Sequence, residues 1–262
     1  MNIVVCVKQV PEVQNVGLDR TTGYARRDQA KGVVNLADRH ALELGLALKA
    51  AAGGNLIALC MGPAGADQAL RQALAVGFDE AYLVTDAALA GSDTAVTTRV
   101  LAEAIRKLPD VGLVLTGELS IDGATAQIAP RLAEALGWPV VTSVYEASLE
   151  GGTLKAGRNG EGRREQVEAT GALVLSVSLD SPKPRIPNAM GVMKAAKKPL
   201  TTWGLADLGL DAATVGQEGS CTWVTRTFKP EKREKGETLQ GDANELAKSL
   251  LERLARKNLV QV

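Results

Sequence analysis

The sequence predicts an α/β protein: a parallel sheet with helices on both faces, followed by an antiparallel extension and a C-terminal arm. Three observations predict it. Apolar runs of strand length alternate with amphipathic segments of helix length through the first 140 residues. Those runs are apolar throughout rather than alternating, as strands buried on both faces are. After Val141 the rhythm changes to short alternating segments divided by "EGG" and "RNGEG", which signal antiparallel strands and tight turns.

The elements follow in order. "NIVVCVK" (Asn2–Lys8) reads as a buried strand. "NLADRHALELGLALKAA" (Asn35–Ala51) reads as a helix, with Asn35 as its cap and Asp38 three residues on, in a relative of the capping box. "LIALCM" (Leu56–Met61) is a strand, "ADQALRQALAVG" (Ala66–Gly77) a helix that ends on glycine, and "EAYLVT" (Glu80–Thr85) a strand. "SDTAVTTRVLAEAIRKL" (Ser92–Leu108) reads as a helix capped by Ser92, with Asp93 in its electropositive first turn. "VGLVLT" (Val111–Thr116) is the next strand, and Arg131–Leu136 belongs to the next helix.

Antiparallel strands are expected over roughly Thr142–Leu149, Thr153–Gly157, Arg163–Ala169 and Ala172–Leu179. Asp180–Leu200 is a connector rich in proline and lysine, and Phe228–Gly241 a charged linker. The last helix, "DANELAKSLLERLARKN", has Asp242 and Glu245 as a cap pair and a stripe of Leu246, Leu250, Leu251 and Leu254. Such a stripe has to be buried, and a second chain is one place for it. A domain over 1–200, with the antiparallel strands at 142–179, and a C-terminal arm over 201–262 are the expected divisions.

Thirty basic residues balance thirty acidic ones, so no net field draws in nucleic acid or a membrane surface. Hydrophobic residues make up 45% and aromatics only 3%, so Ala, Val and Leu must fill the core. No apolar run approaches the length of a membrane span, and the first residues do not form a signal peptide. The expectation is a soluble cytoplasmic protein without membrane insertion. Cys6, Cys60 and Cys221 are widely spaced and contain no CxxC pair, which argues against a disulfide framework or a zinc site. The single histidine, His40, is placed on a polar helix face and leaves little room for a Ser-His-Asp triad. No catalytic residue is expected.

Ligands of parallel α/β sheets bind outside the carboxyl ends of the strands. Three segments fall on that edge. In "GELSIDGATAQIAP" (Gly117–Pro130), the residues Asp122, Gly123, Ala124, Thr125, Ala126 and Gln127 combine small side chains with hydrogen-bonding ones. Two readings stand. Asp-Gly is turn chemistry with a cap, or the amides of Gly123–Thr125 open onto a phosphate at a helix entrance. Pro130 cannot donate a helical hydrogen bond, so the regular helix is expected to begin near it, after a loop. "MGPAG", with Met61 and Gly62, and "AGSDT", with Ser92, Asp93 and Thr94, are the other two segments. Each alone reads equally as a turn or a cap; together they outline a nucleotide cleft. The layout is Rossmann-like, yet neither GxGxxG nor a Walker loop is present. "MKAAKKP" sets lysines beside methionines, either as a solvated charge run or as a docking loop.

Taken together, "VVCVKQVPE", "VNLADRHALELGLALK", "ALCMGPAGADQALRQALAVGFDEAYLVTD" and "GELSIDGATAQIAPRLAEALGWP" resemble the beta subunits of electron transfer flavoproteins over nearly the whole chain. Leu36 stands where that family usually has proline, and Ala129 where it has glycine. The resemblance implies an obligate heterodimer with an alpha subunit that carries the flavin. It implies an adenine-nucleotide pocket using Cys6, Asn35, Asp38, Met61 and the loop from Asp122. It also implies that the connector, with Pro187, Met190, Val192, Met193, Lys194 and Lys197, recognises a partner dehydrogenase or quinone reductase, and that the C-terminal arm contacts the alpha subunit. Some members hold AMP in this subunit; the electron-bifurcating and nitrogen-fixation-linked branches hold a second FAD. "AGSDT" and "IDGATAQ" are more similar to the second group, although Val96-Thr97-Thr98 departs from its usual Ala-Thr-Ser. FAD in this subunit is therefore the expectation, with AMP as the alternative; a stand-alone nucleotide-binding or nucleotide-sensing protein that needs no alpha subunit is the other reading.

Overall fold

A computed structural model describes residues 1–12, 32–225 and 236–260. Residues Phe228–Lys235 of the charged linker lie outside the described residues. The chain folds as two units, Met1–Thr225 and Arg226–Val262.

Among the described residues, the first unit is built on a nine-stranded sheet in the order β11-β5-β4-β1-β6-β10-β7-β8-β9. Its inner strands are β1 (Asn2–Cys6), β4 (Leu56–Met61), β5 (Glu80–Val84), β6 (Val111–Gly117) and β10 (Leu173–Val177). All pair in parallel, as their unbroken apolar character predicts. A two-stranded antiparallel ribbon, β2 (Gln9–Pro11) with β3 (Gly32–Val34), leads into the first helix.

Alternate residues along β1 and just beyond it feed two cores. Ile3, Val5 and Val7 pack with α1 (Leu36–Ala52) and α2 (Asp67–Val76) on one face. Val4 and Cys6 pack with α3 (Thr94–Lys107) and α4 (Ile128–Leu136) on the other. The predicted helices therefore cover both faces. α4 begins at Ile128 and carries Pro130 as its third residue, where a missing amide costs no helical bond.

Three expectations need correction. First, the antiparallel set contains only β7 (Val140–Glu150), β8 (Thr153–Gly160) and β9 (Arg163–Thr170). The strand expected as their fourth member, Ala172–Leu179, forms β10, which inserts between β6 and β7 and is parallel to both. All five residues of β10 are buried, the signature of a central parallel strand rather than of a meander edge. Second, the boundary at 200/201 is displaced. β11 (Leu200–Trp203) pairs in parallel with β5, so the first unit continues to Thr225. Third, His40 is buried on α1, where its Nδ1 lies 3.0 Å from the Ser181 hydroxyl.

In the second unit, α6 (Ala243–Arg256) starts with the predicted capping box, Asp242 with Glu245. Arg253 pairs with Glu237, and Leu250 and Leu251 of the leucine stripe are exposed. Among the described residues no helix is long and apolar enough to cross a membrane.

Candidate functional site

β4 and β5 lie on one side of β1, and β6 on the other, so successive crossovers leave β1 in opposite directions. The crevice at such a reversal is where open α/β sheets take ligands. A cavity of about 670 Å³ opens there. Its walls are the ends of β1 (Cys6), β4 (Met61, Gly62) and β6 (Thr116–Ser120), and the entrances of α3 (Ser92–Thr94) and α4 (Gly123, Thr125–Ile128). Of the residues singled out in the sequence, Cys6, Asn35, Asp38, Met61, Gly62, Ser92, Asp93, Thr94, Gly123, Thr125, Ala126 and Gln127 line it; Asp122 and Ala124 do not.

The loop before α4 is shaped by its backbone. Ala124 and Ala126 both adopt the left-handed region, at φ 48° and 54°. Alternating handedness turns successive amides toward one side, which makes an anion-binding concavity. Ala124 N–H donates to the Ser120 carbonyl at 2.8 Å, and Gly123 N–H donates to the Ser120 hydroxyl at 3.3 Å. Among the described residues no acceptor meets the amides of Thr125, Ala126 and Gln127. They stand at the entrance of α4, whose N-cap residue, Gln127, makes no side-chain cap bond. Uncommitted donors at a helix entrance suit an anion.

Gln127 does different work. Its amide oxygen accepts from the Thr94 hydroxyl at 2.7 Å and from Arg131 Nε at 3.2 Å, which joins the entrances of α3 and α4. Asp93, rather than Ser92, caps α3: its Oδ1 accepts from the amides of Ala95 and Val96 at 2.9 and 3.0 Å. Its Oδ2 accepts from the Cys221 amide and from the Thr222 amide and hydroxyl, at 3.0–3.1 Å. Ser92 Oγ donates to the Leu89 carbonyl instead. Both oxygens of Asp93 are thus engaged by protein donors at the cavity wall.

Asn35 and Asp38 form the wall between α1 and the loop after β6. Asn35 occupies the N-cap position, but its side chain makes no cap bond. It donates to Asp38 Oδ1 at 3.0 Å and to the Leu119 carbonyl at 2.9 Å, and accepts from Ile121 N–H at 3.1 Å. Asp38 also accepts from the amides of Lys8, at 2.7 Å, and Gly117, at 3.2 Å. Burial pushes the Asp38 carboxyl up to about 7, against the opposing donors from Asn35, Lys8 and Gly117. Burial, then the Asp38 charge, raises the Cys6 thiol well above its ordinary value, so Cys6 is a small neutral wall residue.

The raised Asp38 value makes a prediction. The folded chain holds this proton more tightly than the unfolded chain, whose carboxyl titrates near 3.8. The Asp38 contribution to stability is therefore complete below pH 3.8 and lost as pH rises toward 7. The stability gap between the wild type and Asp38→Asn should narrow over that window. The Asp38 carboxyl carbon, followed by NMR, should titrate near pH 7; a midpoint near 4 would refute the shift.

The sequence reading missed Lys8, Thr97, Thr116 and Glu118, all of which line the cavity. Lys8 follows β1 at the sheet's carboxyl edge, and Thr116 and Glu118 flank the end of β6; strand-end position alone was the available signal.

The expected recognition segment forms a short helix, α5 (Ala189–Ala195), capped by Asn188. Arg185 clamps its approach to Glu43 through contacts of 2.7–3.2 Å. Arg71 holds its exit by donating to the Ala195 and Lys198 carbonyls at 2.8 and 2.9 Å. Met190, Val192, Met193, Lys194 and Lys197 are exposed, and Pro187 is half-buried.

Residues 24–208 match the family model of the electron transfer flavoprotein domain. The chain is 37% identical over 262 residues to the caffeyl-CoA reductase–Etf complex subunit CarD of Acetobacterium woodii, covering 99% of this chain and 100% of that one. It is 37% identical over 261 residues to the electron transfer flavoprotein subunit beta of Thermoanaerobacterium thermosaccharolyticum, covering 99% and 100%. Protein FixA of Azorhizobium caulinodans is 37% identical over 250 residues, covering 91% of this chain and 88% of that one. With the cleft at the strand-order reversal and the match extending through nearly all of the chain, the protein belongs to the electron transfer flavoprotein beta-subunit family.

Proposed function

We propose that this chain, paired with an alpha subunit, carries electrons between a dehydrogenase and a downstream acceptor in the cytoplasm, and that its own cavity holds FAD. One observation carries the nucleotide reading: three residues with uncommitted amides, Thr125, Ala126 and Gln127, line the cavity between two helix entrances at the sheet reversal. The preference for FAD over AMP rests on extent. The cavity runs from Thr85–Thr94 across to Thr116–Ile128, whereas AMP, with fewer than half the atoms of FAD, needs only the part beside one helix entrance. The relative named as a subunit of a caffeyl-CoA reductase–Etf complex agrees with a role inside a larger reductase assembly.

A bound flavin supplies the electron-accepting chemistry. The residues of this chain bind, orient and shield. The amides of Thr125–Gln127 hold phosphate oxygens; Asn35 and Asp38 fix the wall behind them; Met61, Leu89 and Leu101 supply apolar surface. Oxidoreductase activity belongs to the complex, and no side chain here acts as a catalytic residue. The exposed Met190, Val192 and Met193, displayed from a segment clamped by Arg185 and Arg71, dock the partner dehydrogenase or quinone reductase.

Acid extraction of the purified heterodimer tests the cofactor assignment. Two FAD per heterodimer is the expected count; one FAD with one AMP would assign AMP to this cavity.

A further inference from the structure

The cavity presents a charge problem. Asp38, Asp86, Asp93 and Glu118 line it, and Lys8 is the only lysine or arginine among its described lining residues. A diphosphate in a cavity whose described walls carry more acidic than basic residues is disfavoured unless a cation offsets them. The amides of Thr125–Gln127 supply partial charges only.

Lys8 is placed to supply the full one. Its main chain is fixed by the bond from its N–H to Asp38. Its ammonium donates to Asp122 at 2.8 Å and reaches Ser120 Oγ at 3.5 Å, so it spans the crevice from the end of β1 to the loop after β6. A side-chain carbon on Gly123 would lie 4.0 Å from Lys8 Nζ, which puts the ammonium beside the amide-lined loop. The lysine side chain is about half exposed, whereas that of Asp122 is largely covered. The cation is therefore the movable member of the pair.

We propose that Lys8 is the phosphate-binding cation of this cavity and that Asp122 holds it in reserve, releasing it to the nucleotide's diphosphate on binding. The inference rests on the nucleotide reading given above. It explains why an acidic residue stands in an anion-binding loop: Asp122 binds the lysine, not the ligand.

The two members of the pair make opposite predictions. A lysine that only braced the loop would lose its bond to Asp122 whichever partner was replaced, and both substitutions would weaken binding. A reserved cation is removed by Lys8→Gln but freed by Asp122→Asn. The test uses the nucleotide-stripped heterodimer, with ADP and adenosine as separate probes in titration calorimetry. Lys8→Gln should weaken ADP binding by roughly tenfold or more, the scale of one charge-assisted hydrogen bond, and leave adenosine unchanged. Asp122→Asn should tighten ADP binding, and Lys8→Arg should keep most of it. Weaker ADP binding in both Lys8→Gln and Asp122→Asn, or unchanged ADP binding in Lys8→Gln, would overturn the role of Lys8 while leaving the nucleotide site standing. Failure of the wild type to bind either probe would overturn the nucleotide reading and this inference together.

Discussion

Replacing Gly117 by valine will lower stability by about 3–4 kcal/mol and, on the function proposed above, empty the cavity of nucleotide, as overpacking and the loss of a donor to a buried carboxylate combine. Gly117 ends β6 directly beneath the first turn of α1. A Cβ there would lie 2.3 Å from Asp38 Oδ1 and 2.7 Å from both the Ala37 carbonyl carbon and the Asp38 nitrogen. Two of those three neighbours are helix backbone, which no rotamer change can move. α1 would have to retreat, and its retreat would break the bond from the Gly117 amide to Asp38. Asn35 would go with it, releasing the Leu119 carbonyl and the Ile121 amide. One added side chain thus loosens the whole wall of the cleft. Urea unfolding and a nucleotide count on the purified heterodimer measure both effects. A loss below about 1 kcal/mol with full nucleotide content would show that α1 can shift without cost, against the density expected of a packed interior.

Asp93→Ala is the second large effect, with an expected loss of about 2–3 kcal/mol from a helix cap and a set of side-chain tethers. The carboxylate caps α3 with one oxygen and gathers the Cys221 and Thr222 donors with the other. Burial alone would raise its pKa, but the donors from Val96, Thr222 and Ala95 outweigh burial and hold it below the ordinary 3.8. The stabilisation is therefore present above pH 3.8 and lost as pH falls through the depressed folded value. Hydrogen exchange at Ala95 and Val96 should accelerate in Asp93→Ala. Asp93→Asn should fall between the two, because its amide keeps one accepting oxygen. If Asp93→Ala unfolds at the wild-type denaturant concentration, the cap and the tether contribute nothing beyond what water supplies.

Asp93 also shows where local reading stopped. "SDT" offers two adjacent cap candidates, and sequence gives no means of choosing between them. The choice fell to Asp93 because the segment at Ser220–Thr222 returns to this edge and needs a two-oxygen acceptor, while the Ser220 hydroxyl accepts from the Asp93 amide at 2.8 Å. Asn35 shows the same limit. Its residue type suits a helix cap, but a buried Asp38 and the loop after β6 offered its amide better partners. The fourth strand of the supposed antiparallel set was misread for a related reason. An apolar run of strand length does not carry its direction, and insertion between β6 and β7 is decided by which neighbours need covering.

The sequence by itself determined the periodicities: buried parallel strands, the helices between them, the capping box on α6, and a loop of small residues at a helix entrance. These are properties of a few neighbouring residues, so short stretches of chain encode them. Tertiary structure alone decided which edge partners met. It brought Lys8 to Asp122 across 114 positions, set Gly117 against α1, and gathered the amides of Thr125–Gln127 and the Lys8 ammonium around a cavity. Those pairings join groups far apart in the chain, and only the order of strands in the sheet makes them neighbours.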